Sequence, residues 1–179
     1  MRSVFFSALV VCFVPTVQGA DKENPWKDAK VGDWIEHKMS GTGFESKTKM
    51  TVVAKSDKEV TYEVSATFTA NGKEMSTPAQ KVTVDLTKDY EKVAADNLKQ
   101  NNTKIEKLGE GTEKLKIGDK EYDTKWTKVK STTTINGMTI ETETKTWISK
   151  DVPLTGLVRM DTVVGTITSK LELTGFGRK

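Results

Sequence analysis

The sequence predicts a mainly β domain, a curled antiparallel sheet of eight or nine strands forming a half-open barrel, with one amphipathic helix packed on the apolar face. Three observations predict it. Apolar side chains recur at period two along most of the chain. Short turn signals separate these runs. A single segment switches to helical period.

The alternation is clearest over 60–69, where Val60, Tyr62, Val64, Ala66 and Phe68 point one way and Thr61, Glu63, Ser65, Thr67 and Thr69 the other. That is a strand with one buried and one wet face, as an antiparallel sheet allows. Val31, Ile35 and Met39 repeat the pattern against Glu36 and Lys38, and Thr48, Met50 and Val52 against Lys47 and Lys49. Val82, Val84 and Leu86, then Leu115 and Ile117, extend it. So do Met138 and Ile140 with Thr142, Thr144 and Thr146, and Ile167 with Leu171 and Leu173.

Ser56-Asp57-Lys58, Asn71-Gly72-Lys73, Gly118-Asp119-Lys120 and Asn136-Gly137 fall between the runs. Asn-Gly favours a two-residue hairpin turn with positive φ, so Asn136-Gly137 pairs the strand near 121–134 with that near 138–149. Trp126 and Val129 break the alternation of their strand, and a bulge over 125–130 would reconcile them. Lys88 to Gln100 reads as the helix, with Tyr90, Val93, Ala94 and Leu98 on one stripe and Asn101-Asn102 ending it. Ser40-Gly41-Thr42-Gly43 and Gly109-Glu110-Gly111-Thr112 read as loops.

The first residues carry export chemistry. Arg2 precedes an apolar run over Val4–Val14, Pro15 breaks it, and Val17-Gln18-Gly19-Ala20 offers small residues for cleavage. Spanning a bilayer takes about 20 apolar residues, so this run is a cleaved signal and no permanent membrane anchor. Residues 1–19 are read as signal peptide and 20–179 as one domain, with cleavage at Gly19–Ala20 or Ala20–Asp21 and a periplasmic or extracellular destination. Cys12 lies inside the run, as apolar filler or as the lipidated cysteine of a bacterial lipoprotein. It is the only cysteine, so the domain is held by its core without disulfides, and thiol chemistry is excluded from it. The 28 basic and 25 acidic residues interleave, without the basic clusters, Arg forks and interspersed aromatics of a nucleic-acid surface.

No catalytic constellation stands out. His37 is the sole histidine, read as a strand residue near a sheet end rather than a general base, and no Gly-x-Ser-x-Gly elbow accompanies it. Glu106, Glu110, Glu113, Asp119, Glu121, Asp123, Glu141 and Glu143 alternate with lysines and read as solvated strand faces. Gly41-x-Gly43 is too short for a phosphate cradle, and no calcium loop is present. Asn101-Asn102-Thr103 fits the N-glycosylation rule, which matters only in a eukaryotic secretory route. Trp26 and Trp34 bracket the first strand, and Trp126 and Trp147 sit on the strands around Asn136-Gly137, with Trp147 on the polar side. Trp34, Phe44, Trp126 and Trp147 are the candidate ligand-binding residues, against the alternative that they cap the core and shield a sheet edge. No cofactor, metal or enzymatic activity is expected.

The stretch Trp147–Met160 (Trp-Ile-Ser-Lys-Asp-Val-Pro-Leu-Thr-Gly-Leu-Val-Arg-Met), the closing Leu171-Glu172-Leu173-Thr174-Gly175-Phe176-Gly177, Gly32-Asp33-Trp34 and Lys116–Tyr122 together carry a resemblance. The chain resembles small exported bacterial β proteins of uncharacterised function, and its ending is similar to the half-barrel domains of periplasmic lipoprotein carriers. The resemblance implies an open barrel whose concave apolar face, partly covered by the helix, accepts an acyl chain. The expected function is an exported, non-catalytic binding module for an apolar or acyl ligand. The alternative is a structural or protein-interaction domain of the cell envelope.

Overall fold

The structure, a computed structural model, describes residues 24–70, 72–135 and 137–178. The signal peptide, Cys12 and the cleavage bond lie outside the described residues, as do Asn71 and Asn136 of the expected turns. The chain forms β1 (Trp34–Gly41), β2 (Phe44–Lys55), β3 (Glu59–Ala70), β4 (Lys73–Ser76), β5 (Gln80–Asp85), α1 (Tyr90–Gln100), β6 (Thr103–Ile117), β7 (Lys120–Ile135), β8 (Met138–Ile148), β9 (Leu157–Val164) and β10 (Ile167–Gly177). The strand absent from the sequence reading is β4, whose four side chains are all exposed and so leave no alternation to read.

All ten strands join one antiparallel, unclosed sheet in the order β4-β3-β2-β1-β10-β9-β8-β7-β6, with β5 pairing β3 beside β4. Val164 faces Ile167 across the two-residue turn Gly165-Thr166, and Ile135 faces Met138 at the end of the β7–β8 pair. Gly137 (φ 79°) and Gly165 (φ 59°) take the left-handed conformation such turns require.

The strand ladder fixes which side chains share a face, because residues in register project the same way. On the core face, Tyr62, Val52 and their neighbours lead to Val64–Met50–Ile35–Phe176, then Thr48–His37–Leu173, then Phe68–Ser46–Met39–Leu171–Met160–Thr146. The sheet is fully covered at one end only. There Ile35, Val60 and Val158 are 0% exposed, and Trp26 of the N-terminal turn stacks on Tyr62 at 4.5 Å and 8°. Both sheet edges reach this core. Val84 of β5 and Leu86 just beyond it come from one side, Leu115 and Ile117 of β6 from the other. Each fully buried aliphatic side chain contributes about 1.5–3 kcal/mol.

The N-terminal turn is pinned to that end. Lys55 donates to the carbonyls of Lys27 and Ala29, Gly32 N–H to Val52 O (2.8 Å), and Lys30 N–H to the buried Asp33 carboxylate (2.9 Å). Val31, expected inside, is therefore in this turn and 51% exposed.

The helix carries the chain from the end of β5 back to the start of β6. Asp89 caps it, accepting from Lys92 N–H at 3.1 Å. It packs beside β6; of its stripe Leu98 is half-buried and Val93 39% exposed, while the Tyr90 and Ala94 side chains lie outside the described ones.

Two local expectations are corrected. β7 pairs β8 without a break from Lys125 to Ile135, and the bulge is in the partner β6 at Leu108, between Lys107 and Gly109. Trp126 and Val129 thus stay on opposite faces, Trp126 with Trp147 and Val129 with Thr144. The stretch 109–112 is the middle of β6 rather than a loop. Its glycines serve close approach: the Trp126 ring lies over Gly109 and Gly111. The same device recurs where Trp34 lies over Gly175 and Gly177 and Phe44 over Gly41, an aromatic ring covering a strand glycine on its neighbour or at the hairpin end.

At Gly111 an added Cβ would lie 2.9–3.0 Å from the Trp126 indole, whereas at Gly109 the nearest ring atoms are 3.4 Å away. Gly111→Ala is expected to cost about 1–3 kcal/mol through displacement of the ring. Gly109→Ala should be near neutral, since relief of unfolded-chain entropy offsets a mild contact. Denaturant melts of the two variants check this; equal losses would contradict it.

Candidate functional site

Two regions have geometry beyond scaffolding. The first is the far end of the core face, past the row of Met39, Leu171 and Met160. The ladder continues there through Ser169–Thr162–Thr144–Val129 and through Ile167–Val164–Thr142–Ser131 to Ile140, Met138 and Ile135. Half-buried hydroxyls, half-buried Val164 and buried Val129 (7% exposed) line the middle. At the margins Phe68 (38%), Met75 (59%), Ile167 (57%), Ile140 (40%), Met138 (66%) and Ile135 (50%) stand exposed. Phe68 and Met75 face each other across β3–β4, and Ile135 and Met138 across β7–β8. This face is interior at one end of the sheet and open surface at the other.

The sequence does not distinguish the two ends, because the alternation is the same in both. The available signal is adjacency to the strand ends at Ala70, Ile135 and Val164, which all fall at the open end.

The second region is on the opposite face. Trp126 and Trp147 are in register across β7–β8, and Arg159 of β9 is in register with Trp147. The Lys145 ammonium lies 4.3 Å from the Trp126 centroid and 4.4 Å from that of Trp147, and the Arg159 guanidinium 5.0 Å from Trp147. Glu113 of β6 reaches across β7, accepting from Trp147 Nε1–H (2.5 Å) and Lys145 (3.1 Å). Those donors, the indole first, hold its carboxyl below the usual carboxylate range. The stabilisation this represents is present at neutral pH and fades as acid protonates Glu113. Arg159 in turn grips Asp161 with two bonds, at 2.8 and 2.6 Å.

Trp147, placed on the polar side of its strand by the sequence, is on that side but only 5% exposed. Two cations against its ring and a carboxylate on its nitrogen cover it, a polar shell that alternation cannot reveal.

The structure brings Trp126 and Trp147 together and leaves the other two candidates apart. Trp34 lies on its own pair of glycines with Lys49 at 4.7 Å from its ring, and Phe44 sits at the β1–β2 turn. Trp34, Trp126 and Trp147 are all on the face opposite Phe68 and Met138, so they do not line the open apolar surface.

His37, expected near a sheet end, is inside the sheet between β2 and β10 and 4% exposed. Its Nε2 donates to the Leu157 carbonyl at 2.9 Å. Burial pushes its pKa down, with the Leu157 bond and Glu36 pulling the other way. A third concavity, about 840 Å³, opens at the packed end between the N-terminal turn, the β6–β7 ribbon and the 149–156 loop. Its walls mix lysines with aspartates. Among the described residues no group of three or more His, Cys, Asp or Glu side chains could hold a metal, and no helix is long and apolar enough to cross a membrane.

No family model matches the sequence, and no curated protein does. The fold has a counterpart in a crystal structure from Bacteroides fragilis of a protein named for export and for its YmcC-like fold. The TM-score is 0.50 at 11% identity, over 84% of this chain and 97% of that one. The likeness establishes a shared fold and agrees with an exported β protein; it does not extend to the lipoprotein carriers.

Glu113→Ala leaves the buried Trp147 N–H without its acceptor and is expected to cost about 1 kcal/mol. The ion pair with Lys145 is partly exposed and screened, so the loss should barely change between low and high salt. Urea melts at two ionic strengths check this; a loss that vanishes in high salt would contradict it.

Proposed function

We propose that the protein is an exported, non-catalytic binding module that holds an apolar or acyl ligand along the open part of its core face. The observation that carries this reading is the continuity of one sheet face from a packed core to a surface lined by half-buried hydroxyls and rimmed by exposed Phe68, Met75, Met138, Ile140 and Ile167. Exposed apolar side chains gathered on one face are what a contact site presents. Burying an acyl chain there would gain about 0.8 kcal/mol per methylene. The exported neighbour of like fold supports the destination.

A second reading, docking onto an envelope protein, draws on Met138 and Ile135, 66% and 50% exposed, which face each other at the end of the β7–β8 pair.

The test is titration of the delipidated protein with a fluorescent long-chain fatty acid. Saturable binding is expected, weakened at least about tenfold in an Ile140→Lys/Ile167→Lys double variant, with thermal stability nearly unchanged because both positions are exposed. Absence of saturable binding, or binding indifferent to both charges, would overturn the carrier reading. Loss, in the same variant, of a cross-link to an envelope protein would then support the second.

A further inference from the structure

The two ends of the sheet differ in what their chain reversals show to solvent. At the packed end Ser56, Asp57 and Lys58, then Gly118, Asp119 and Lys120, then Lys150 and Asp151 are exposed. The apolar Val152 and Leu154 beside them are turned inward, 3% and 7% exposed. Polar residues are what turns in water ordinarily carry. The open end does the reverse. Among the described residues eleven large apolar side chains stand exposed, and seven of them lie within two residues of the strand ends at Ala70, Lys73, Ile135, Met138, Val164 and Ile167. These are Phe68 and Met75, then Ile135, Met138 and Ile140, then Val163 and Ile167. The other four are scattered over the N-terminal turn, β5, α1 and the β6 bulge.

Six of the seven project from the core face, but Val163 does not. It is in register with Glu143, on the face of Trp126 and Trp147. The apolar rim thus follows the end of the sheet around both faces, which a ligand lying along the core face would not require. A strand rises about 3.4 Å per residue, so all seven lie within about 7 Å of the strand ends. Apolar side chains seat to a similar depth, about 5–10 Å, in the boundary between lipid headgroups and acyl chains. A protein partner is met by one contiguous patch, whereas these side chains are spread over three strand pairs, with β1 and β2 between the first and the second. The charges next to the rim come in both signs: Lys73 precedes Glu74, and Glu141 pairs with Lys130 at 2.9 Å. The match is therefore to a lipid surface without net charge, since an acidic membrane is recognised by clustered Lys and Arg.

We propose that the open end of the sheet docks on a lipid bilayer, with the apolar strand ends entering the headgroup boundary. The open core face then meets the bilayer at the same place. This goes beyond the carrier reading and does not depend on it.

The experiment is flotation with vesicles of pure phosphatidylcholine. It uses the mature protein, freed of the apolar run over Val4–Val14, which would bind lipid on its own. Wild type is compared with Met138→Glu/Val163→Glu and with Val31→Glu, a control at the packed end where Val31 is 51% exposed. Wild type and the control are expected to float with the vesicles, and the partition coefficient of the double variant to fall about tenfold or more, because binding scales with the apolar area inserted. No flotation of wild type, an undiminished double variant, or an equal loss in Val31→Glu would overturn the proposal. So would flotation with native envelope membranes alone, which would assign the rim to a protein partner. Should the double variant not fold, wild type decides. Vesicles are expected to slow peroxide oxidation of Met75 and Met138 at least about threefold and to leave Met50 unchanged, and equal rates with and without vesicles would overturn the docking. A fluorescent fatty acid that fails to bind would remove the carrier reading and leave these results to decide the docking.

Discussion

A ten-stranded sheet that curls without closing can cover its apolar face only where its two edges come to the same place. In this protein they meet at one end. Val84 and Leu86 arrive from beside β3, Leu115 and Ile117 from β6, and Trp26 is laid over Tyr62 from the N-terminal turn. The core of Ile35, Val52, Val60 and Val158 exists because of that convergence. Beyond it the strands run on and the covering elements do not, so the same face becomes a surface of threonines edged by methionine, isoleucine and phenylalanine. Scaffold and candidate site are thus two ends of one pattern, and His37 marks the seam.

The opposite face solves a different problem. Long, solvated strands rich in Lys, Glu and Thr give little apolar area to hold β6 to β9 in place. Indoles lying on glycines supply area without a second layer, and Lys145 and Arg159 at its ring and Glu113 at its nitrogen cover Trp147. Each contact of this kind is worth about 0.5–2 kcal/mol. Their value here is that they bridge four strands, β6 to β9.

Much of the fold was legible in the chain because it rests on local rules. Alternation located nearly all the strands, the Gly-containing turns located the hairpins, and the one helical stripe located α1. The misses have physical causes. Gly109 and Gly111 look like a turn, since glycine's role as a seat for Trp126 depends on a strand partner 15 or more positions away in sequence. Trp147 reads as exposed because its cover is charged. Val31 fits the period of β1 but belongs to the turn that Lys55 and Asp33 fasten down. The open end of the core face was hidden for a deeper reason. Periodicity reports which way a side chain points, not whether anything lies over it; Met50 and Met138 are equivalent in sequence and opposite in circumstance.

Those methionines provide the direct test, since Met39, Met50, Met75, Met138 and Met160 all project from the core face. Initial rates of peroxide oxidation in the native protein, resolved residue by residue by mass spectrometry, report access to each sulfur. The account predicts rapid oxidation of Met138 and Met75, 66% and 59% exposed, and slow oxidation of Met50, which packs on the core. Met50 reacting in step with Met138, or Met138 and Met75 as protected as Met50, would contradict a face that is closed at one end and open at the other.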